Sequence, residues 1–501
     1  MNDPILITGA TGFVGHHVLA ELLRRGADCV AGVRPPLGGS RDRLLHMIDA
    51  LGLDGGRLVG CGRLRFATID LPEQAGAIGC SPCAQIVHCA GSTTFHRQAR
   101  NEPFRTNVEG TVAMLEWARK NGCRKFHLLS TAYVAGQRGV LKEQALEAAD
   151  PESFNNVYEE SKHLAERAVL SWITAGAGTA TIFRPAICAG HSVTGRATSY
   201  QGFYRLARAT QLLAGMANGD RREIALRIRG RPDQRQHIVP VDHIAAVIAA
   251  VVLQDGWHGG FYNLTHPDPP DNCQIKTWLE ECFDIGGGRF VDPDENLGPL
   301  NEVERLFYEL VAPITPYFFR SRGFERQRTS EIEAATRLAC PRLDVVMIRR
   351  WIDWATAARW GRTAPADGFD RKMCAAYFEL FLARNVPRSR LAAMTRLTTA
   401  AAFCIGGAGG YRCVCRFEHG RLVQVHTGGC EAADFGYQAS YTVFLEAITG
   451  RIRPQELFFE RGAEIDGDVE RALKMAAILH EFTREFPCSE GQLRRMVRSA
   501  G

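Results

Sequence analysis

The chain has 501 residues, 46% of them hydrophobic and 23% charged, with a net charge of +5. This is an ordinary globular balance with room for two or three domains and a large core. The positive surplus is too small over this length to argue for a nucleic-acid partner, and no apolar run is long enough to span a bilayer.

Ile5-Leu-Ile-Thr-Gly-Ala-Thr-Gly-Phe-Val-Gly15 reads as a short strand, a glycine turn and the start of an amphipathic helix over Val14–Arg25. Gly9 permits the turn, Gly12 lets a backbone approach a pyrophosphate, and Gly15 lets the helix pack close to the strand. Amides freed at the helix N-terminus then face phosphate, where the helix dipole favours negative charge. Thr8, Thr11, Phe13 and Val14 complete this expected dinucleotide cradle.

The second strand, Cys29–Val33, is followed by Arg34, with Arg41 and Arg43 close behind. A site for NAD usually carries an acid here for the ribose hydroxyls, whereas a guanidinium grips a 2′-phosphate. Arg34 and Arg43 therefore predict NADPH, with solvated loop arginines as the alternative. The third strand, Leu64–Ile69, leads to Asp70 and Leu71; Asp70 is placed to accept from an adenine amine or to serve as an exposed turn residue.

Cys80-Ser-Pro-Cys83 has CxxC spacing, but no second Cys or His pair completes a zinc site, so a loop and no metal are expected. With no signal peptide ahead of the first strand, the 16 scattered cysteines are expected to be reduced thiols of a cytoplasmic protein. The fourth strand, Gln85–Cys89, delivers Cys89, Ala90 and Gly91 to the same end of the sheet.

A helix is predicted over Phe104–Lys120, carrying Asn107 either as a tie to the sheet or in a proton relay. The strand Phe126–Leu129 ends in Ser130 and Thr131, where a hydroxyl can hold a substrate carbonyl. On the next helix, Tyr158–Ile173, Tyr158 and Lys162 are four residues apart and share one face. An ammonium beside a phenol favours the phenolate, which predicts a lowered pKa for Tyr158 and a role as general acid/base. The strand Thr179–Phe183 leads to Pro185 and Ile187, further expected cofactor contacts. This alternation predicts a parallel sheet with helices on both faces and sites at the carboxyl ends of the strands. Ile244–Leu253 reads as a buried helix.

From about Pro267 to Arg390, Pro/Asp/Gly clusters separate helical stretches rich in aromatics such as Trp351, Trp354 and Trp360. A helical cap and connector is expected over 266–390, its aromatics packing a core. Beyond 391 comes a Gly-rich turn, Gly406–Gly410. Strands are predicted over Tyr411–Phe417, Leu422–His426 and Ala432–Ala439, with a helix over Tyr441–Thr449. A strand near Ala463–Ile465 and a helix over Val469–Phe482 complete an α+β module. The expected units are thus a Rossmann-type domain over 1–265, the cap over 266–390 and this module over 391–501.

The first half resembles the extended short-chain dehydrogenase/reductase family, and within it the fatty acyl reductase and thioester reductase branch. The likeness rests on Gly9–Gly15, Val33-Arg34, Val87–Phe95, Asn107–Thr111, Leu129–Val134, Tyr158–Lys162, Arg184-Pro185 and Val239–His243. It implies that Thr131 and Tyr158 polarise a thioester carbonyl and that Lys162 orients the nicotinamide ribose and tunes the phenol. NADPH then reduces the thioester to an aldehyde and a free thiol, and a second round gives an alcohol. The tail resembles sterol carrier protein-type lipid-binding domains on Tyr437–Gly450, Pro454–Phe459 and Ile465–Asp468. An apolar tunnel lined by Tyr441, Phe444, Leu445, Leu457, Phe458 and Leu473, or an ordinary packed core, would satisfy the same spacing.

The expected substrate is an acyl thioester, on CoA or an acyl carrier protein, or another lipid. A dehydrogenase or ketoreductase of a sterol-like or polyketide-like lipid, and a non-catalytic lipid-binding protein, are the other readings. Contact with a membrane surface and a homodimer stay open.

Overall fold

The structure is a computed structural model. It describes residues 3–500 except 74–77, 79–82, 216–221, 320–322, 362–370, 391–396, 407–409, 429–432, 451 and 460–461. Cys80 of the CxxC spacing, the middle of the Gly406–Gly410 turn and the expected boundary at 391 lie outside the described residues. The fourteen described cysteines are all free thiols.

The N-terminal half is built on seven strands: β1 (Ile5–Thr8), β2 (Cys29–Val33), β3 (Leu64–Thr68), β4 (Gln85–His88), β5 (Lys125–Leu129), β6 (Thr179–Pro185) and β7 (Phe261–Leu264). All neighbours are parallel, in the order β7-β6-β5-β4-β1-β2-β3. Every residue of β1, β2 and β4 is buried, as expected of a parallel sheet covered on both faces. The strand order reverses between β1 and β4, so a crevice opens at their carboxyl ends.

Four helices flank this sheet in positions that matter for the site: α1 (Phe13–Arg24), α2 (Gly110–Lys120), α3 (Val157–Thr174) and α4 (Val241–Val252). The α4 helix is apolar nearly all round and buries ten of its twelve residues, so it lies inside the core rather than on its surface.

The cap is not purely helical. It pairs Glu223–Arg229 with Gly286–Val291 in a parallel two-stranded sheet, and it takes the helix Phe203–Ala214 from before residue 266. Trp351 is fully buried there, in a cluster with Phe203, Tyr204 and Ile275, as the core reading of the cap aromatics expects.

The tail has a mixed five-stranded sheet: β8 (Thr399–Ile405), β9 (Tyr411–Glu418), β10 (Arg421–Thr427), β11 (Phe435–Ala439) and β12 (Glu464–Gly467), ordered β10-β9-β8-β11-β12. One face packs against α5 (Val469–Glu485) and the helical segment Ala376–Leu382. Tyr377, Phe378 and Phe381 of that segment belong to the tail core, so the tail takes in residues before the expected boundary.

Candidate active site

The glycine turn does what its spacing predicts. Gly9 has φ +65°, and a Cβ there would lie 2.5 Å from the Ala90 amide nitrogen. A Cβ on Gly15 would lie 2.1 Å from the Gly9 carbonyl oxygen, so α1 packs against the turn only without a side chain. Gly12 is the N-cap of α1 and offers no side-chain cap to the first-turn amides. These amides are the groups a phosphate takes, so the cradle fits a dinucleotide.

β1, β4 and α2 are tied together behind the turn. Thr8 Oγ1 and His88 Nδ1 are 2.7 Å apart, Thr111 Oγ1 and His88 Nε2 are 3.3 Å apart, and the Ala90 amide donates to Thr8 Oγ1. Burial, with Lys162 nearby, pushes His88 down to about 3, so this imidazole is neutral at physiological pH. Thr8 thus acts as a clamp between strands. Burial lifts Cys89 to about 12, so its thiol stays protonated.

Thr131 and Lys162 both lie at the carboxyl end of β5, and Tyr158 stands one turn before Lys162 on α3. Thr131 follows β5 and is 4% exposed; its Oγ1 accepts from the Tyr133 amide at 3.3 Å, and its hydroxyl lies close enough to the Tyr158 phenol to pull its pKa down. Tyr158 stands in the first turn of α3, whose N-cap Asn156 accepts from the Glu159 amide. Lys162, one turn further, donates from Nζ to the Leu129 carbonyl at 2.5 Å. A Cβ on Gly91 would lie 3.7 Å from Lys162 Nζ and 3.2 Å from Asn107 Oδ1, so the loop after β4 passes close to both.

Two electrostatic expectations change. Burial raises the Tyr158 phenol above its ordinary range, against the pull of the Thr131 hydroxyl, and the charges acting on it are Cys188 and Glu159 rather than Lys162. The expected lowering by Lys162 is therefore corrected: the ammonium faces a backbone carbonyl and is itself pushed down by burial to about 8. A phenol held this way is a proton donor.

Asn107 is a tie. Its Oδ1 accepts from the Ser92 amide at 2.7 Å, and its Nδ2 donates to the Ser92 carbonyl and to Ser161 Oγ. It fixes the loop after β4 to α3, which carries Tyr158 and Lys162. Ser130 turns away from the crevice: its hydroxyl donates to Glu166 Oε1, and Glu166 pairs with Arg184 at 2.7 Å with both side chains buried. Arg184 also donates to the Lys142 carbonyl and lies over the Phe261 ring. The Arg184-Pro185 motif is thus a buried brace between β6 and α3.

Arg34 and Arg43 are exposed just beyond β2, and Arg41 lies over Phe66. Asp70 and Leu71 are half-buried at the end of β3. Ile187 follows Pro185 in the short strand Ile187–Ala189, which pairs with Ile238–Pro240.

A cavity of about 590 Å³, counted to its mouth, lies over Tyr158 and is walled by Phe95, Tyr133, Ile187, Phe203 and Tyr317. Tyr317 was not legible as a site residue. Its hydroxyl donates to Glu159 Oε1 at 2.6 Å and accepts from Asn156 Nδ2, so the cap is pinned to the first turn of α3. The only hint in the sequence is the acid after Tyr158, which nothing local connects to residue 317.

In the tail, a cavity of about 780 Å³ lies between the sheet and the helices. Phe444, Leu457 and Phe458 line it as predicted, with Tyr377, Phe378 and Leu479. Tyr441, Leu445 and Leu473 do not; Leu473 packs between the tail core and the cap cluster around Leu306 and Phe307.

Strand order and glycine turn define a doubly wound parallel α/β domain whose crevice fits a dinucleotide. Residues 7–248 match the family model described as male sterility protein, and residues 378–480 match the one described as SCP-2 sterol transfer family. The aldehyde reductase lnaA of Aspergillus flavus is 29% identical over 342 residues, covering 62% of this chain and 30% of that protein. The chain thus spans about a third of the length of such curated relatives. The terminal R domain of the myxalamid PKS-NRPS biosynthetic pathway superposes with a TM-score of 0.59 at 22% identity, over 73% of this chain and 93% of that one. A thiolation-reductase di-domain from an archaeal non-ribosomal peptide synthetase gives 0.57 at 19%, over 72% and 77%. These two likenesses show the fold.

Proposed function

We propose that the chain is an NADPH-dependent reductase of a long-chain or carrier-bound acyl thioester, giving an aldehyde or alcohol, with a tail that holds lipid. The observation that carries this reading is the Tyr158 phenol in the wall of an apolar cavity, with Thr131 beside it and a glycine turn that fits a dinucleotide at the same end of the sheet. A bound NADPH supplies the hydride. Thr131 and Tyr158 hold the carbonyl oxygen between two hydroxyls, and the phenol, kept protonated by burial, gives it the proton it takes up. Lys162, pushed down to about 8, is still mostly an ammonium at neutral pH and is near enough to Gly91 to meet a ribose hydroxyl. Arg34, with no acid at the end of β2, favours the 2′-phosphate.

Relatives named as an aldehyde reductase and as R domains support carbonyl reduction, and the SCP-2 family match supports an apolar ligand for the tail cavity. The test is oxidation of NADPH and of NADH with acyl-CoA and acyl-carrier-protein thioesters, from short to long chains. Turnover with NADPH preferred is expected. No turnover on any thioester overturns the reading.

A further inference from the structure

The cavity over Tyr158 is not alone in the cap. A second cleft, about 600 Å³ with the open space at its mouth included, lies between the helices Phe203–Ala214 and Asn272–Phe283 and the two-stranded sheet. Its wall is aliphatic and aromatic, with Leu213, Leu226, Leu279 and Phe290 among its residues. Leu206 and Ile275 line both cavities, one from each helix. Leu206 is only half-buried, so the partition is not packed solid.

We infer that the two cavities are one channel for a linear acyl chain, with Leu206 and Ile275 as the neck its carbons pass. This rests on the acyl thioester reading and narrows its substrate class. The carbonyl end lies at Tyr158, and the chain runs past the neck towards Leu279 and Phe290. Apolar cavities of this kind hold no stable water, and their walls lack contact partners until an apolar ligand supplies them. A neck formed by two aliphatic side chains admits an unbranched chain and excludes a fused ring system, which counts against a sterol-like substrate. The wall also carries one polar patch. Lys276 Nζ pairs with Glu280 at 2.7 Å, and Glu280 Oε1 accepts from the Gly288 amide. An acyl chain gains nothing against that ion pair, so its carbons are expected along the aliphatic wall of Leu213, Leu226, Leu279 and Phe290 instead.

Two experiments on the full chain test this. Hexadecanoyl-CoA bearing a terminal diazirine, irradiated with the native protein without NADPH, should label Leu279, Ile285 or Phe290. Labelling that spares all three, for example only around Phe444 and Leu457 of the tail, overturns the channel. Leu279→Trp should fill the distal cavity. The ratio of kcat/KM for hexadecanoyl-CoA to that for butanoyl-CoA should then fall at least about tenfold, as expected when a few methylenes no longer bury. A folded variant whose ratio stays within about twofold of native overturns it. Should the variant not fold, the labelling of the native protein decides. Absence of turnover of both thioesters by native protein refutes the reductase reading itself, whereas turnover with label elsewhere refutes the channel alone.

Discussion

The reductase half and the tail each wrap a sheet and helices around an apolar cavity, but they differ in what borders it. Over Tyr158, parallel strands end together and bring Thr131, Gly91 and Ala90 to one crevice, with buried polar groups tied by Asn107 and His88. In the tail, the mixed sheet gives an almost wholly apolar wall with His480 and Thr483 at one side. A parallel sheet gathers strand ends and polar groups at one point, which suits chemistry. The tail wall has hydrophobic burial as its main means of recognition, which suits holding a ligand.

Acid should break the symmetry between the halves most strongly. Burial pushes His16 down to about 4, His17 to about 2 and His88 to about 3, so the unfolded chain binds more protons below pH 6.5. The stability these neutral imidazoles allow is whole above that pH and is lost as pH falls towards their folded values, at about 2 kcal/mol each by pH 5. In the tail, only His480 among the described residues has a resolved lowering. Calorimetry from pH 7 to pH 5 should show the reductase transition falling ahead of the tail; coincident losses would remove the distinction.

Tyr158→Phe should cost roughly 10²–10⁴ in kcat while leaving uptake of a fluorescent fatty acid by the tail unchanged. Equal loss of both would mean one shared site. Phe458→Ala, which strips a buried ring from the tail cavity, should destabilise the tail by about 3 kcal/mol, read from its own denaturant transition. Arg34→Ser should lower the NADPH-to-NADH preference in kcat/KM by about tenfold, the smallest of these effects.

Much of this was legible in the sequence because it is local. The strands of the parallel sheet are short apolar runs, the glycine turn depends on backbone conformation, and Tyr158 and Lys162 share a helix face by spacing alone. What was missed is non-local or compositionally mute. β8 begins Thr399-Ala-Ala-Ala and has little β-branched character, yet it is a central strand because β9 and β11 pair with it on either side. The cap strand Gly286–Val291 begins with three glycines that read as a turn, and its partner lies some sixty residues earlier. Tyr377 and Phe378 sit before a stretch that reads as a linker, and only tertiary packing assigns them to the tail. The upward shift of Tyr158 depends on how deeply the first turn of α3 is covered, which spacing does not encode.

One helix belongs to both halves. The first turns of α5 press Val469 and Leu473 into the cap cluster that holds Phe307, and Lys474 pairs with Glu302 at 2.7 Å. Its later turns place Ala476, Leu479 and His480 in the wall of the tail cavity. Phe307 in turn forms part of the distal cap cavity. The helix therefore contributes side chains to both packings, and a guest that tilted it in one chamber would do work against the other. Thermodynamic reciprocity then makes the effect equal in both directions, so occupancy of the tail and occupancy of the cap are read on a single mechanical scale.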